Sequence, residues 1–199
     1  MPERFSPTQP HARPKPTDRL FFAVFPDAAA AARIARLAQD LRSELGLKGN
    51  PRGTERFHVT LQYLGDYAGL QPDIVAAAAG AAATVEVPPF DVAFDRVRSF
   101  AARPRNRPVV LCAGEGVTAL SAFRQILVAA TDKIGLGREA QPPYTPHVTL
   151  LYDDHLVPER PIEPVGWTVR EFVLVHSLLG RAVHVPLARW PLQSPFTAS

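Results

Sequence analysis

Phe57-His58-Val59-Thr60-Leu61-Gln62-Tyr63 and Pro146-His147-Val148-Thr149-Leu150-Leu151-Tyr152 decide how this chain folds. The two heptads share His, Val, Thr, Leu and Tyr in register, in a chain with only 6 histidines. Their offset is 89 residues (147 − 58), close to half of the part that reads as folded. Self-similarity at a long fixed interval marks an internal duplication. Each heptad mixes strand formers with alternating polar residues, the pattern of a half-buried strand. Each also follows a helix-like stretch of similar length. The expectation is two related lobes facing each other about a pseudo-twofold axis, each contributing one such strand to the shared face.

The spacing has chemical meaning. Side chains at i and i+2 of a strand share a face, about 6.6 Å apart. His58 therefore points with Thr60, and His147 with Thr149, while Val59 and Leu61 face the other way and pack. Brought together, two imidazoles and two hydroxyls would surround one cleft. That set suits in-line displacement at phosphorus: one imidazole takes a proton from water and the other gives one to the departing oxygen. An unperturbed histidine pKa near 6.5 fits both tasks and predicts a bell-shaped pH profile with limbs near neutrality. The hydroxyls can donate to the non-bridging oxygens, where negative charge must be held. The competing chemistry is a metal site, since neutral imidazole binds zinc. Asp153, Asp154 and His155 follow the second copy and are available to it, but neither His58 nor His147 has a third ligand at close spacing. No metal is expected.

Working outward, residues 1–18 hold 5 of the 21 prolines and no apolar period, the signature of a disordered tail. Residues 19–25 read as a strand stopped by Pro26, and Asp27 is placed to cap a helix carrying Ile34, Leu37, Leu41 and Leu45 on one face. Gly46 and Gly49 end it. Further helices are expected at 72–83 and 118–134, the latter with Leu120, Phe123, Leu127 and Ile134 aligned and Gly135 as its stop. Strands are expected at 90–100 and 109–113, and a closing hairpin at 168–179 and 182–190 around Gly180-Arg181. Strands mixed with helices in this order argue α/β or α+β, with the sheets covered by helices on one side, and residues 192–199 read as a C-terminal tail.

Composition sets limits around that reading. Hydrophobic residues are 46% and charged residues 21% of the 199, as in a soluble globular domain. The lone Cys112, inside Val109-Val110-Leu111-Cys112-Ala113, excludes a disulfide scaffold and reads as a buried thiol. No apolar run approaches the roughly 18 residues of a membrane span. Met1-Pro2-Glu3-Arg4-Phe5-Ser6-Pro7 lacks an apolar signal core, so a cytoplasmic location is expected. The net charge of +3 rests on arginine, lysine occurring only at 15, 48 and 133. That balance permits an anionic ligand such as phosphate or RNA.

Other residues carry two readings each. Arg56 points with His58 by alternation and is a candidate phosphate contact. Arg96, Arg98, Arg103, Arg105 and Arg107 are either a patch tracking an RNA backbone or a solvated loop. Tyr144, Phe22 and Trp167 either stack on a base or pack in the core. His176 either lines the cleft or is a structural histidine. His184, His155 and His11 are weaker candidates still.

Two His-Val-Thr-Leu tetrads, one in each half of a chain of this length, resemble the 2H phosphoesterase superfamily. Within it the chain is similar to the 2'-5' RNA ligase and RNA 2',3'-cyclic phosphodiesterase group, also through Tyr63-Leu64-Gly65-Asp66, Tyr144-Thr145-Pro146 and Phe21-Phe22-Ala23-Val24. The likeness covers about residues 19–191. It implies an α+β fold, a single bilobal domain over 19–191 with two antiparallel or mixed sheets flanked by helices and the site in a central cleft between the lobes, no metal or cofactor, and hydrolysis of a 2',3'-cyclic phosphate to a 2'-phosphate. The resemblance also implies that His58 protonates O3', His147 activates water, and Thr60 and Thr149 bind the phosphate. Ligation without ATP, a 5'-hydroxyl replacing water, is the reverse type of reaction. RNA ends or nucleotides with a 2',3'-cyclic phosphate are the implied partners of a monomer with no membrane attachment. A 2'-5' oligonucleotide, another cyclic nucleotide, or a non-catalytic role in binding RNA ends are the alternatives. Tyr152-Asp153-Asp154 stands where many relatives carry basic residues, which leaves the exact substrate open.

Overall fold

The computed structural model describes residues 14–101, 106–136 and 144–193. Eight strands and three helices follow in the order β1 (Asp18–Val24), α1 (Ala28–Glu44), β2 (Val59–Tyr67), α2 (Pro72–Ala82), β3 (Phe90–Ser99), β4 (Arg107–Cys112), α3 (Thr118–Asp132), β5 (His147–Asp153), β6 (Arg160–Val169), β7 (Glu171–Leu178) and β8 (Val183–Pro191). The fold is α+β, with the strands in the order β6-β3-β4-β5-β2-β1-β7-β8. Every pairing among these strands is antiparallel.

The order divides into two sets of four, β6-β3-β4-β5 and β2-β1-β7-β8. The two expected sheets are one. The repeated strands β2 and β5 meet edge to edge at a single residue pair, Val59 opposite Val148. Those valines sit at the same position of each tetrad, so the pseudo-twofold axis runs between them.

All three helices cover one face of the sheet. Asp27 caps α1 as its position suggests, its carboxylate accepting the Ala30 amide at 2.8 Å. Ile34, Ala38 and Leu41 of α1 and Leu120, Phe123 and Leu127 of α3 are buried against Leu20, Phe22, Val59, Leu61, Val148 and Leu150. Burial of such side chains contributes roughly 1.5–3 kcal/mol each. The core therefore takes Val59 and Val148, and the alternation turns the histidines to the opposite face, which the three helices do not cover.

Several boundaries differ from expectation. Thr17 and Asp18, assigned to the tail, are tied in: the Thr17 amide donates to the Tyr67 carbonyl and Asp18 starts β1. Residues 1–13 of the expected tail lie outside the described residues, as do 194–199 and the loop arginines Arg103 and Arg105. Helix α3 ends at Asp132, and a turn closes through Gly135 at φ +79°, leaving Ile134 exposed rather than on the packed face. The expected strand 168–179 is two strands, breaking at Arg170, and β6 is an edge strand that the sequence pattern did not announce.

Candidate active site

The face opposite the helices carries a cleft of about 490 Å³ lined by His58, Thr60, His147 and Thr149 together, within the size range of small-ligand sites. Convergence follows from register. With Val59 opposite Val148, an antiparallel ladder sets His58 across from Thr149 and Thr60 across from His147. Cross-strand Cα spacing of about 5 Å and an along-strand step of about 6.6 Å place the two histidine backbones about 8 Å apart on the diagonal. One tetrahedral phosphate fits in that interval.

Both imidazoles are held the same way. Nδ1 of His58 donates to the Arg56 carbonyl at 2.8 Å, and Nδ1 of His147 donates to the Thr145 carbonyl at 2.7 Å. A carbonyl only accepts, so it fixes the proton on Nδ1 and leaves the Nε2 lone pair as the working atom of each ring. His58 packs against Phe21 at 5.2 Å and His184 at 5.0 Å between ring centres; His147 packs edge-on against Phe100 at 4.8 Å. Burial disfavours the imidazolium in both: His58 is lowered to about 4, and His147 is lowered. Both histidines sit below the near-neutral value that the unperturbed side chain suggests.

A second feature is duplicated. Leu61 in β2 and Leu150 in β5, each three residues past its histidine, have no partner opposite in the neighbouring strands β1 and β4. Such a bulge inserts one residue and reverses the alternation beyond it. Tyr63 and Tyr152, five residues past the histidines, would otherwise point into the helices; instead both line the cleft. A guanidinium lies over each ring, Arg19 over Tyr63 at 5.3 Å and Arg52 over Tyr152 at 4.9 Å.

Arg56 lines the cleft, but from the 3-10 turn Thr54–Arg56 ahead of β2 rather than from a strand in which alternation would set its direction. Three other sequence candidates lie elsewhere. Phe22 is fully buried on the helix side against Phe172 and Trp190; its neighbour Phe21 is the ring at the cleft. Tyr144 donates its hydroxyl to the Thr60 carbonyl at 3.1 Å and lies under Arg124, so it braces the first tetrad from behind. His176 is buried, with Nε2 bonded to Asp18 at 2.5 Å. Trp167 stacks on Phe94 in the core. Arg96 and Arg98 pair with Glu159, and Arg107 donates to the Asp154 carbonyl. Cys112 is buried.

Sequence reasoning missed Arg52 and undervalued His184. The loop bearing Arg52 lies between α1 and β2, yet it docks on β5. Asp153 accepts the Lys48 and Gly49 amides at 2.7 Å, and the Arg52 amide donates to the Leu150 carbonyl at 2.8 Å. Gly49 is required there, because a Cβ would fall 1.9 Å from the Tyr152 carbonyl oxygen. Asp153, weighed as a metal ligand, is thus a loop anchor. Among the described residues no group of three or more His, Cys, Asp or Glu side chains is placed to hold a metal ion. His184 on β8 reaches the cleft because β8 runs beside β7; burial and the charges of Arg56 and Arg52 lower it to about 4.

An antiparallel sheet whose two central strands each present His-x-Thr to a common cleft defines the 2H phosphoesterase class. The model of the 2'-5' RNA ligase superfamily matches residues 25–181, and the chain belongs to that superfamily. Among solved structures it is similar to Escherichia coli LigT complexed with NADP+, at 25% identity and TM-score 0.70, over 90% of this chain and 100% of that one. LigT complexed with 3'-AMP gives 26% identity and TM-score 0.70, over 89% and 99%. A Thermus thermophilus protein gives 25% identity and TM-score 0.67, over 89% and 100%. Among curated proteins none matches. Among the described residues no helix is long and apolar enough to cross a membrane.

Proposed function

We propose that this chain hydrolyses the 2',3'-cyclic phosphate of an RNA end or nucleotide to a 2'-phosphate, with His58 and His147 as acid and base. The observation carrying this reading is the matched pair of imidazoles, each clamped at Nδ1 by the carbonyl two residues earlier and each lining one cleft across the Val59–Val148 axis. Likeness to LigT, which was crystallised with 3'-AMP and with NADP+, supports a nucleotide as ligand.

In this reading the phosphate lies between the two Nε2 atoms. Nε2 of His147 takes a proton from water as the water oxygen bonds to phosphorus. The P–O3' bond breaks, and Nε2–H of His58 delivers its proton to O3'. Thr60 and Thr149 donate to the non-bridging oxygens. No metal takes part. Burial, with the charge of Arg52 adding to it, holds His58 neutral, and a bound anion beside the ring favours the imidazolium, so substrate itself helps charge the acid. With a 5'-hydroxyl in place of water the same groups would form a 2'-5' linkage.

The test is incubation with adenosine 2',3'-cyclic phosphate in the presence of a chelator. Adenosine 2'-phosphate as the sole product, at an undiminished rate, is the expected result. A 3'-phosphate product, loss of activity with chelator, or no turnover would overturn the reading.

A further inference from the structure

The two tetrads and their tyrosines enter the cleft in matched pairs, but the charges beside them are not matched. Arg19, over Tyr63, is neutralised: Asp66 accepts its Nε and Nη2 at 2.7 and 2.8 Å. Asp66 is bonded to the Tyr63 hydroxyl as well, and this side of the cleft closes on itself. Arg52, over Tyr152, has no such mate. Neither Arg52 nor Arg56 forms an ion pair with a described carboxylate. The Nε of each is buried with no hydrogen-bond partner. Their positions are built, because the loop between α1 and β2 is pinned to β5 through Asp153, Gly49 and the Arg52 amide. The charge of Arg52 is felt at Arg56, His58 and His184, and Glu55 offsets it at Arg56 only in part.

Two unneutralised guanidinium groups at one cleft repel each other until an anion stands between them. A reacting cyclic phosphate carries one negative charge and, on the functional reading above, is already served by two hydroxyls and two imidazoles. A ribonucleotide end offers another anion close by, the phosphate on the 5' oxygen of the same ribose. Planar guanidinium groups are matched to phosphate oxygens in geometry and charge.

We propose that Arg52, together with Arg56, binds this 5'-side phosphate, so the preferred substrates are RNA ends and 5'-phosphorylated nucleotides rather than nucleosides whose only phosphate is the cyclic one. This rests on the function proposed above, and it gives the matched pair of tetrads a direction: the chain leaves toward Arg52 and Tyr152, away from the closed Arg19–Asp66 side.

Equilibrium titration with two stable ligands tests it, adenosine 2'-phosphate and adenosine 2',5'-bisphosphate. The wild-type protein is expected to bind the bisphosphate about tenfold more tightly or better, the scale of one charge-assisted hydrogen-bonded pair. Arg52→Gln should bring the ratio of the two affinities to within threefold, and Arg52→Lys should keep an intermediate ratio. A wild-type ratio near one, a ratio that Arg52→Gln leaves unchanged, or no binding of either ligand overturns the inference. Turnover of adenosine 2',3'-cyclic phosphate by the wild-type protein is scored separately. A protein that turns it over but ignores the 5'-phosphate loses this inference and keeps its proposed activity.

Discussion

The first copy of the repeat, on β2, and the second, on β5, agree wherever an atom faces the centre of the cleft and disagree around it. Both have a histidine clamped through Nδ1 by the carbonyl two residues back. Both have a bulged leucine three residues on and a cleft-facing tyrosine after five. The surroundings then diverge. His58 is wedged among Phe21, Phe25 and His184, whereas His147 meets Phe100. Arg19 is bound to Asp66 while Arg52 is not bound to any described carboxylate. On the proposed function, symmetry is kept where the two imidazoles would approach one phosphorus from opposite sides. On the same reading it is lost where a substrate would be held one way round.

The largest effect should come from removing either half of the matched pair. His58→Ala and His147→Ala should each lower kcat on a 2',3'-cyclic nucleotide by roughly 10²–10⁴-fold, the usual size of a proton-transfer contribution. The double variant should fall little further, since two groups serving one transition state are not additive. Circular dichroism should be unchanged, both rings being partly open to the cleft. Wild-type turnover in either single variant would mean that the copies are alike in shape without being alike in role.

The pH profile probes the same pair with a smaller effect, about tenfold per pH unit on a limb. The productive form needs one imidazole charged and the other neutral. Burial lowers both, His58 to about 4. As pH rises through values so lowered, the free protein loses its proton donor. The optimum of kcat/KM should therefore lie on the acid side of 6.5. Bound anion favours the imidazolium, so the optimum of kcat should lie at higher pH than that of kcat/KM. A kcat/KM optimum above pH 7 would show that the burial of His58 does not govern its proton.

The four residues at the centre were legible because a strand has a period of two, which is local. The periphery was not, because it depends on which strands lie side by side. Phe21 and Phe22 are equally apolar, and only the side covered by helices decides which one meets the cleft. His184 sits in a polar and apolar alternation like many others until β8 is laid beside β7. Arg52 reaches the cleft because its loop crosses to the strand of the other copy, a contact about 100 residues away in sequence. Pro161 and Pro164 hid β6, since proline argues against a strand except at a sheet edge, which is where β6 lies. For His176 the strand was read correctly, but its partner Asp18 belongs to β1 and fixes it as a buried pair.

The smallest effect concerns the brace behind the first copy. A bulge leaves carbonyls without a ladder partner. Around Leu61 they are taken up from outside the sheet: the Tyr144 hydroxyl donates to the Thr60 carbonyl at 3.1 Å, and Nε of Arg124 donates to the Leu61 carbonyl at 2.8 Å. Tyr144 comes from the segment leading into the second copy, so this bond ties the two halves together. Tyr144→Phe keeps the ring under Arg124 and deletes only the hydroxyl. One hydrogen bond of this kind is worth about 1 kcal/mol, a shift in Tm of roughly 2–4 °C for a chain of this size. KM for a cyclic nucleotide should stay the same, because the ring lies behind the strand and does not line the cleft. A raised KM at unchanged Tm would reverse the assignment and put Tyr144 against substrate. The predicted pattern, lower Tm at constant KM, would make the bulge, and with it the turn of Tyr63 into the cleft, something the second half of the chain holds in place for the first.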